Sequence, residues 1–222
     1  MIKINKERTA SFDVDAQNTF TPLCPNELPV PDALSIVSGL NDQAKFTSVR
    51  IGSKDAHSEK AIWVATSNAP QLTPIDSPNS DLRWNAHGVV GEFGFDLIAG
   101  LPKVTEYDFF VWKGIELDMH PYGACYHDLH DKMSTGAIEY MKAKNIDTVI
   151  VGGLALEFCV KKTVLQLLDA GFKVIVNLSA TKGLDQTACE MTVHELSAQG
   201  VTFIKDANEL VFEDKSYTPG FF

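Results

Sequence analysis

Several things are missing from this 222-residue chain, and each absence narrows the reading. No apolar run approaches the roughly 18 residues needed to cross a bilayer. The longest, Val149 to Leu156, is about half that length and carries two glycines. The opening MIKINKERTA has no apolar h-region of the kind a secretory signal requires, which predicts a cytoplasmic protein. Positive charge is scarce: 19 Lys and Arg stand against 29 Asp and Glu, a net charge of −10. Such a surface would release no counterions from nucleic acid or anionic lipid, so neither is an expected partner. The cysteines are few and scattered, at 24, 125, 159 and 189, without a C-x-x-C pair or zinc-finger spacing. Free thiols are expected in a reducing compartment. Internal repeats and low-complexity tracts are absent, and hydrophobic residues at 45% fit a chain that buries a core.

What is present alternates. Predicted strands cover Thr9–Asp15, Ser48–Ser53, Asp108–Lys113, Thr148–Gly152, Lys173–Asn177 and Val201–Ile204. Predicted helices cover Asp32–Phe46, Asp131–Lys144, Glu157–Ala170 and Asp185–Gln199. Asn145, Gly171 and Gly200 close three of the helices, as residues tolerant of left-handed backbone should. TVIVGG and KVIVNL are apolar on both faces, the mark of a sheet covered on both sides. Strand–helix–strand units of this length predict an α/β fold with a mostly parallel sheet in one domain. The stretch from about 56 to 106 breaks the pattern with Pro70, Pro74, Pro78 and Pro102 and many Asn and Ser. With Trp63, Trp84 and Trp112 in or beside it, it is expected to be an ordered active-site excursion.

In an open α/β sheet the ligand crevice lies beyond the carboxyl ends of the strands. Asp15 ends the first predicted strand, Asp55 and His57 follow the second, Lys113 ends the third and Cys159 follows the fourth. Singly, each has an ordinary structural role: a cap, a turn, a solvated cation, a small buried hydrophobe. Their joint placement on one rim points to a site. Cys159 falls in the first turn of a predicted helix, where free N–H groups and the positive helix end are expected to lower its pKa. Lys113 would add positive charge, and Asp15 could take the thiol proton.

These residues resemble a known family. FDVDAQNTF, a lysine ending the third strand and VGGLALEFCV are similar to the nicotinamidase and isochorismatase-like cysteine hydrolases, from about Thr9 to Gly200. The resemblance implies a three-layer sandwich around a doubly wound, mostly parallel sheet. It also implies a catalytic triad of Asp15, Lys113 and Cys159. A cis peptide is implied at Leu154–Ala155, with Leu154 beside the substrate and an oxyanion held by the backbone N–H groups of Ala155 and Cys159. Within the family, nicotinamidases bind a divalent metal through D-x-H and a later His, here Asp55, His57 and His87. Zinc suits that donor set best, with iron or manganese as alternatives. The implied reaction converts nicotinamide to nicotinate and ammonia through a cysteine thioester, in NAD salvage. Relatives commonly self-associate, so a homo-oligomer is expected, with the C-terminal TPGFF a possible contributor.

Phe20 and Trp84 could stack on a pyridine ring, with Tyr122 a third candidate, although plain core packing suits all three. The chain departs from the family pattern in places. Trp63 stands where relatives often carry a further metal-binding His, and Asp81 or water would have to compensate. Glu157-Phe158 replaces an acidic-His pair before the cysteine. In GIELDMHPYGACYHD, His120 and His127, with His130 just beyond, are expected to serve surface or loop packing. Two rivals remain: an isochorismatase-like hydrolase of another amide, carbamoyl or vinyl-ether substrate, and a non-catalytic small-molecule scaffold. A redox role is disfavoured because no resolving cysteine lies near Cys159.

Overall fold

The computed structural model describes residues 1–213. The TPGFF segment lies outside the described residues. The described residues form ten strands: β1 (Ile2–Ile4), β2 (Thr9–Val14), β3 (Val49–Asp55), β4 (Pro74–Ser77), β5 (Ser80–Leu82), β6 (Phe109–Lys113), β7 (Thr148–Leu154), β8 (Lys173–Lys182), β9 (Thr202–Ile204) and β10 (Leu210–Phe212). Four α-helices accompany them: α1 (Ile36–Ala44), α2 (Ala137–Ala143), α3 (Lys161–Asp169) and α4 (Gln186–Ala198). Six strands form one sheet in the order β6-β3-β2-β7-β8-β9, and every pairing in it is parallel.

Two apolar clusters sandwich that sheet. Ala10, Phe12 and Val14 of β2 point into one, with Ile138 and Met141 of α2, Val164 and Leu167 of α3, and Leu196 of α4. The other is built by Ile36 and Leu40 of α1 with Trp63, Trp84 and Leu154. The α/β sandwich expected from the sequence is therefore the fold observed. Chain order reverses around β2, which pairs with β3 on one side and β7 on the other. Such a switch point opens a crevice at the carboxyl ends of the strands.

The strands run further than the sequence pattern indicates. β7 continues to Leu154 and β8 to Lys182, through an irregularity in register between Val151 and Gly153. Gly153 permits it: at φ +125° a Cβ would lie 1.9 Å from the Val14 carbonyl oxygen. α2 is much shorter than predicted. Asp128 accepts the backbone N–H groups of His130, Lys132 and Met133, holding that stretch in a turn, and Gly136 at φ +86° starts the helix late. The excursion after β3 contains the β4–β5 hairpin, absent from the sequence prediction. The three-residue partners β1 and β10, also missed, are too short to show a period. Among the described residues no helix is long and apolar enough to cross a membrane. All four cysteines are free thiols.

Candidate active site

Asp15, Asp55, Lys113 and Cys159 meet at the carboxyl edge of the sheet. Asp55 and Lys113 are register partners on β3 and β6, which sets their side chains together. Asp15 follows β2 with φ +46°, a left-handed turn unusual for a residue with a Cβ. The Ser53 hydroxyl donates to its Oδ1 at 2.7 Å, and its own N–H donates to Ser53 Oγ at 3.2 Å. Cys159 lies in a π-helical turn, Leu156–Val160, ahead of α3 rather than in a regular first turn. The Leu154–Ala155 peptide before it is cis, as the family resemblance implies.

Lys113, wholly buried, is the hub. Its Nζ donates to Asp55 Oδ1 at 2.5 Å and to the Pro121 carbonyl at 3.0 Å. It lies 3.1 Å from Asp15 Oδ2 and 3.7 Å from Cys159 Sγ. One oxygen each from Asp15 and Asp55, together with Cys159 Sγ, fall within 4.8 Å of one another.

Burial opposes every charge here, and the neighbours decide the outcome. It disfavours the Lys113 ammonium, but Asp15 and Asp55 hold that group well above its ordinary value. Burial pushes Asp15 up to about 6, with Lys113 opposing and Asp55 reinforcing the rise. Asp55 is buried too, yet the Lys113 ammonium keeps its carboxyl well below the usual range. Cys159 corrects the expectation of a depressed thiol pKa. Burial, reinforced by Asp15 and Asp55, outweighs Lys113 and raises the thiol well above its ordinary value. At rest the site holds a neutral thiol beside a carboxylate able to receive its proton.

The imidazoles of His57, His87 and His120 adjoin this centre, each offering a nitrogen within 4.8 Å of the others. His57 Nδ1 is 2.8 Å from the Gly114 carbonyl and His87 Nδ1 is 2.7 Å from the Asn85 carbonyl. A carbonyl only accepts, so each Nδ1 carries a proton outward, and in its neutral form each ring keeps an Nε2 lone pair. Those lone pairs face Asp55, at 3.3 Å from Oδ1 and 3.7 Å from Oδ2. Acceptors thus converge on acceptors, and a cation between them resolves the conflict. Gly114 makes the contact possible, because at φ +76° a Cβ there would lie 2.3 Å from the His57 ring. The donor set fits the divalent metal that the family implies.

His120 corrects the expectation of loop packing: it is 4% exposed and joins the cluster. His127 and His130 stay apart, half-buried and exposed. Asp81 is exposed, and its carboxylate accepts the Tyr122 hydroxyl at 2.8 Å instead of reaching the imidazoles. Trp63 fills the wall of the cluster, its ring 4.7 Å from that of His57 and 4.5 Å from that of His120.

A cavity opens beside Cys159 and Ala155, lined by Phe20, Trp84, Tyr122, Phe158, His87 and His120 among others. The three aromatic residues singled out in the sequence, Phe20, Trp84 and Tyr122, thus line one cavity. Leu154 packs in the core cluster instead of along the cavity wall. Phe158 adds a wall the sequence reading missed, edge-on to Trp84 at 5.3 Å. Glu157 beside it turns away and accepts the N–H groups of Leu184 and Asp185. Ser53 and Gln17 were also missed as supports, since a lone Ser or Gln carries no spacing signal. Gln17 does fall within the V-D-x-Q-N-x-F motif.

Comparison with known proteins assigns this parallel-sheet fold to a family. The Isochorismatase domain model matches residues 9–208, nearly the whole chain. This chain belongs to the isochorismatase family. It is 30% identical over 203 residues to a nicotinamidase of Acinetobacter baylyi, covering 89% of this chain and 92% of that protein. It is 29% identical over 211 residues to a nicotinamidase of Saccharomyces cerevisiae, covering 86% and 96% respectively. The solved structure of an Acinetobacter baumanii nicotinamidase and pyrazinamidase superposes with a TM-score of 0.82 at 28% identity, covering 91% of this chain and 98% of that one.

Proposed function

We propose that this protein is a nicotinamidase, hydrolysing nicotinamide to nicotinate and ammonia in NAD salvage. The observation that carries the reading is the contact of Lys113 with Asp15, Asp55 and Cys159 at the floor of an aromatic cavity walled by imidazoles. Likeness to nicotinamidases along most of the chain supports the same substrate.

The chemistry follows from the buried charges. Asp15 takes the Cys159 proton, and Sγ attacks the carboxamide carbon to form a C–S bond. Lys113 offsets the negative charge that the thiolate and two carboxylates would otherwise concentrate in one buried place. The backbone N–H groups of Ala155 and Cys159 hold the oxyanion. Collapse of the tetrahedral adduct breaks the C–N bond, and Asp15 returns the proton to nitrogen, so ammonia leaves. A water molecule, giving its proton to Asp15, then attacks the thioester. The C–S bond breaks, nicotinate is released and the thiol recovers its proton. Phe20 and Trp84 hold the flat ring between them.

Asp55, His57 and His87 would hold a divalent metal, zinc by preference, with iron or manganese as alternatives. When bound, it supplies a Lewis-acid site for the pyridine nitrogen and so orients the ring. Action in the cytoplasm is part of the reading, consistent with free thiols throughout. Self-association is also part of it, supported by exposed Val90, Trp112 and Ile115 lining one groove at the β6 edge. Light scattering tests this, and a strictly monomeric mass excludes it.

The deciding experiment is ammonia release from nicotinamide by the purified chain, with metal quantified on the same sample. Release with near-stoichiometric metal is expected. No release from nicotinamide, with release from another aromatic amide, overturns the assignment.

A further inference from the structure

We propose that His120, carried by the loop after β6, is a metal ligand that completes the set begun by Asp55, His57 and His87. The inference rests on the metal component of the reading above, and goes beyond the D-x-H and later His that the sequence pattern supplies.

Four observations carry it. Neither ring nitrogen of His120 has a hydrogen-bond partner, although the residue is buried. A neutral imidazole always presents one N–H and one lone pair, and a core histidine normally pairs both. Second, the ring stacks on His57 at 5.3 Å and 20° and meets His87 edge-on at 5.4 Å and 69°. His57 and His87 spend their N–H groups outward on Gly114 and Asn85, so neither can satisfy the His120 lone pair. Third, the loop is pinned where it delivers the ring. Trp63 Nε1 donates to the Met119 carbonyl at 2.9 Å, Ser80 Oγ donates to the Asp118 carbonyl at 3.3 Å, and His120 N–H donates to the Asn79 carbonyl at 2.8 Å. Fourth, charge favours a cation: two buried carboxylates at the centre face one ammonium, with the imidazoles beside them.

Trp63 acquires a purpose from this arrangement. Its indole packs on all three imidazoles and at the same time anchors the residue before His120. A ligand from the far loop would tie that loop to the excursion after β3. It would also tie metal occupancy to the cavity wall, because His120 stands 5.9 Å from Trp84 in a nearly parallel stack.

The test uses the full chain, stripped with a chelator and reloaded with Zn²⁺ or Co²⁺. Zn²⁺ affinity is read by competition with a chromophoric chelator, and ligation by the visible absorption of the Co²⁺ form. Loss of an outer-shell partner costs about 10- to 100-fold in affinity, and His120→Ala is expected to cost at least that much. The Co²⁺ spectrum should change with it, while His130→Ala, on the same loop, matches the unmodified chain in both. Should His120→Ala fail to fold, His120→Asn is read in the same way. Unchanged affinity and spectrum in the His120 variant, or no metal uptake by the unmodified chain, overturns the inference. Loosened metal in His120→Ala, with no nicotinamide hydrolysis by the unmodified chain, would support the ligand and overturn the nicotinamidase reading alone.

Discussion

Gln17 and Asp55 exchange a closed pair of hydrogen bonds: Gln17 Nε2 donates to the Asp55 carbonyl at 2.9 Å, and the Asp55 N–H donates to Gln17 Oε1 at 2.8 Å. The turn after β2 is thereby welded to the end of β3, and both are buried. Gln17→Leu would remove the partner of three backbone groups, the Asp55 N–H and carbonyl and the Phe95 carbonyl, each costing about 1–3 kcal/mol when left unpaired. The expected result is a lower midpoint in urea together with weaker metal retention, since Asp55 loses its fixed backbone. A midpoint unchanged from the parent chain would show that the pair contributes nothing.

Removal of the nucleophile should separate chemistry from folding. Cys159→Ala is expected to lower ammonia release about 10⁴-fold or more while nicotinamide still binds, because the aromatic walls are unaltered. Residual turnover near the parent rate would exclude Cys159 as nucleophile.

Acidity should govern turnover through Asp15. Its carboxyl must be ionised to take the thiol proton, and burial places it at about 6. Activity is therefore present above that pH and lost as pH falls through it. A kcat/KM profile that stays flat down to pH near 4, the range of an ordinary carboxylate, would contradict the assignment.

Ring recognition should reside in the aromatic walls. Trp84→Ala and Phe20→Ala each remove a stacking contact of about 0.5–1.5 kcal/mol, a rise in KM of about 2- to 12-fold with a smaller effect on kcat. Trp84 also donates to the Tyr122 hydroxyl at 3.3 Å, so its loss should disturb Tyr122 as well. A fall in kcat at constant KM would instead assign these residues to positioning the carboxamide.

The sequence alone determined the parallel α/β layout, the excursion after β3, and the company of Asp15, Lys113 and Cys159. These follow from local periodicity and from the rule that strand ends share one rim, which operate whatever the packing. Tertiary structure decided the rest. His120 reads as a loop residue because nothing near it in the chain is a ligand; only the fold of the Gly114–Asp131 stretch against Trp63 and Asn79 sets its ring among the others. Asp81, close to His87 in sequence, is drawn off by Tyr122, a partner 41 residues away. The protonation of Cys159 was decided there too. Position at a helix start argues for a thiolate, whereas burial between two carboxylates keeps the proton on sulfur. Electrostatics in a buried site depends on distances in three dimensions, and one-dimensional spacing does not encode them.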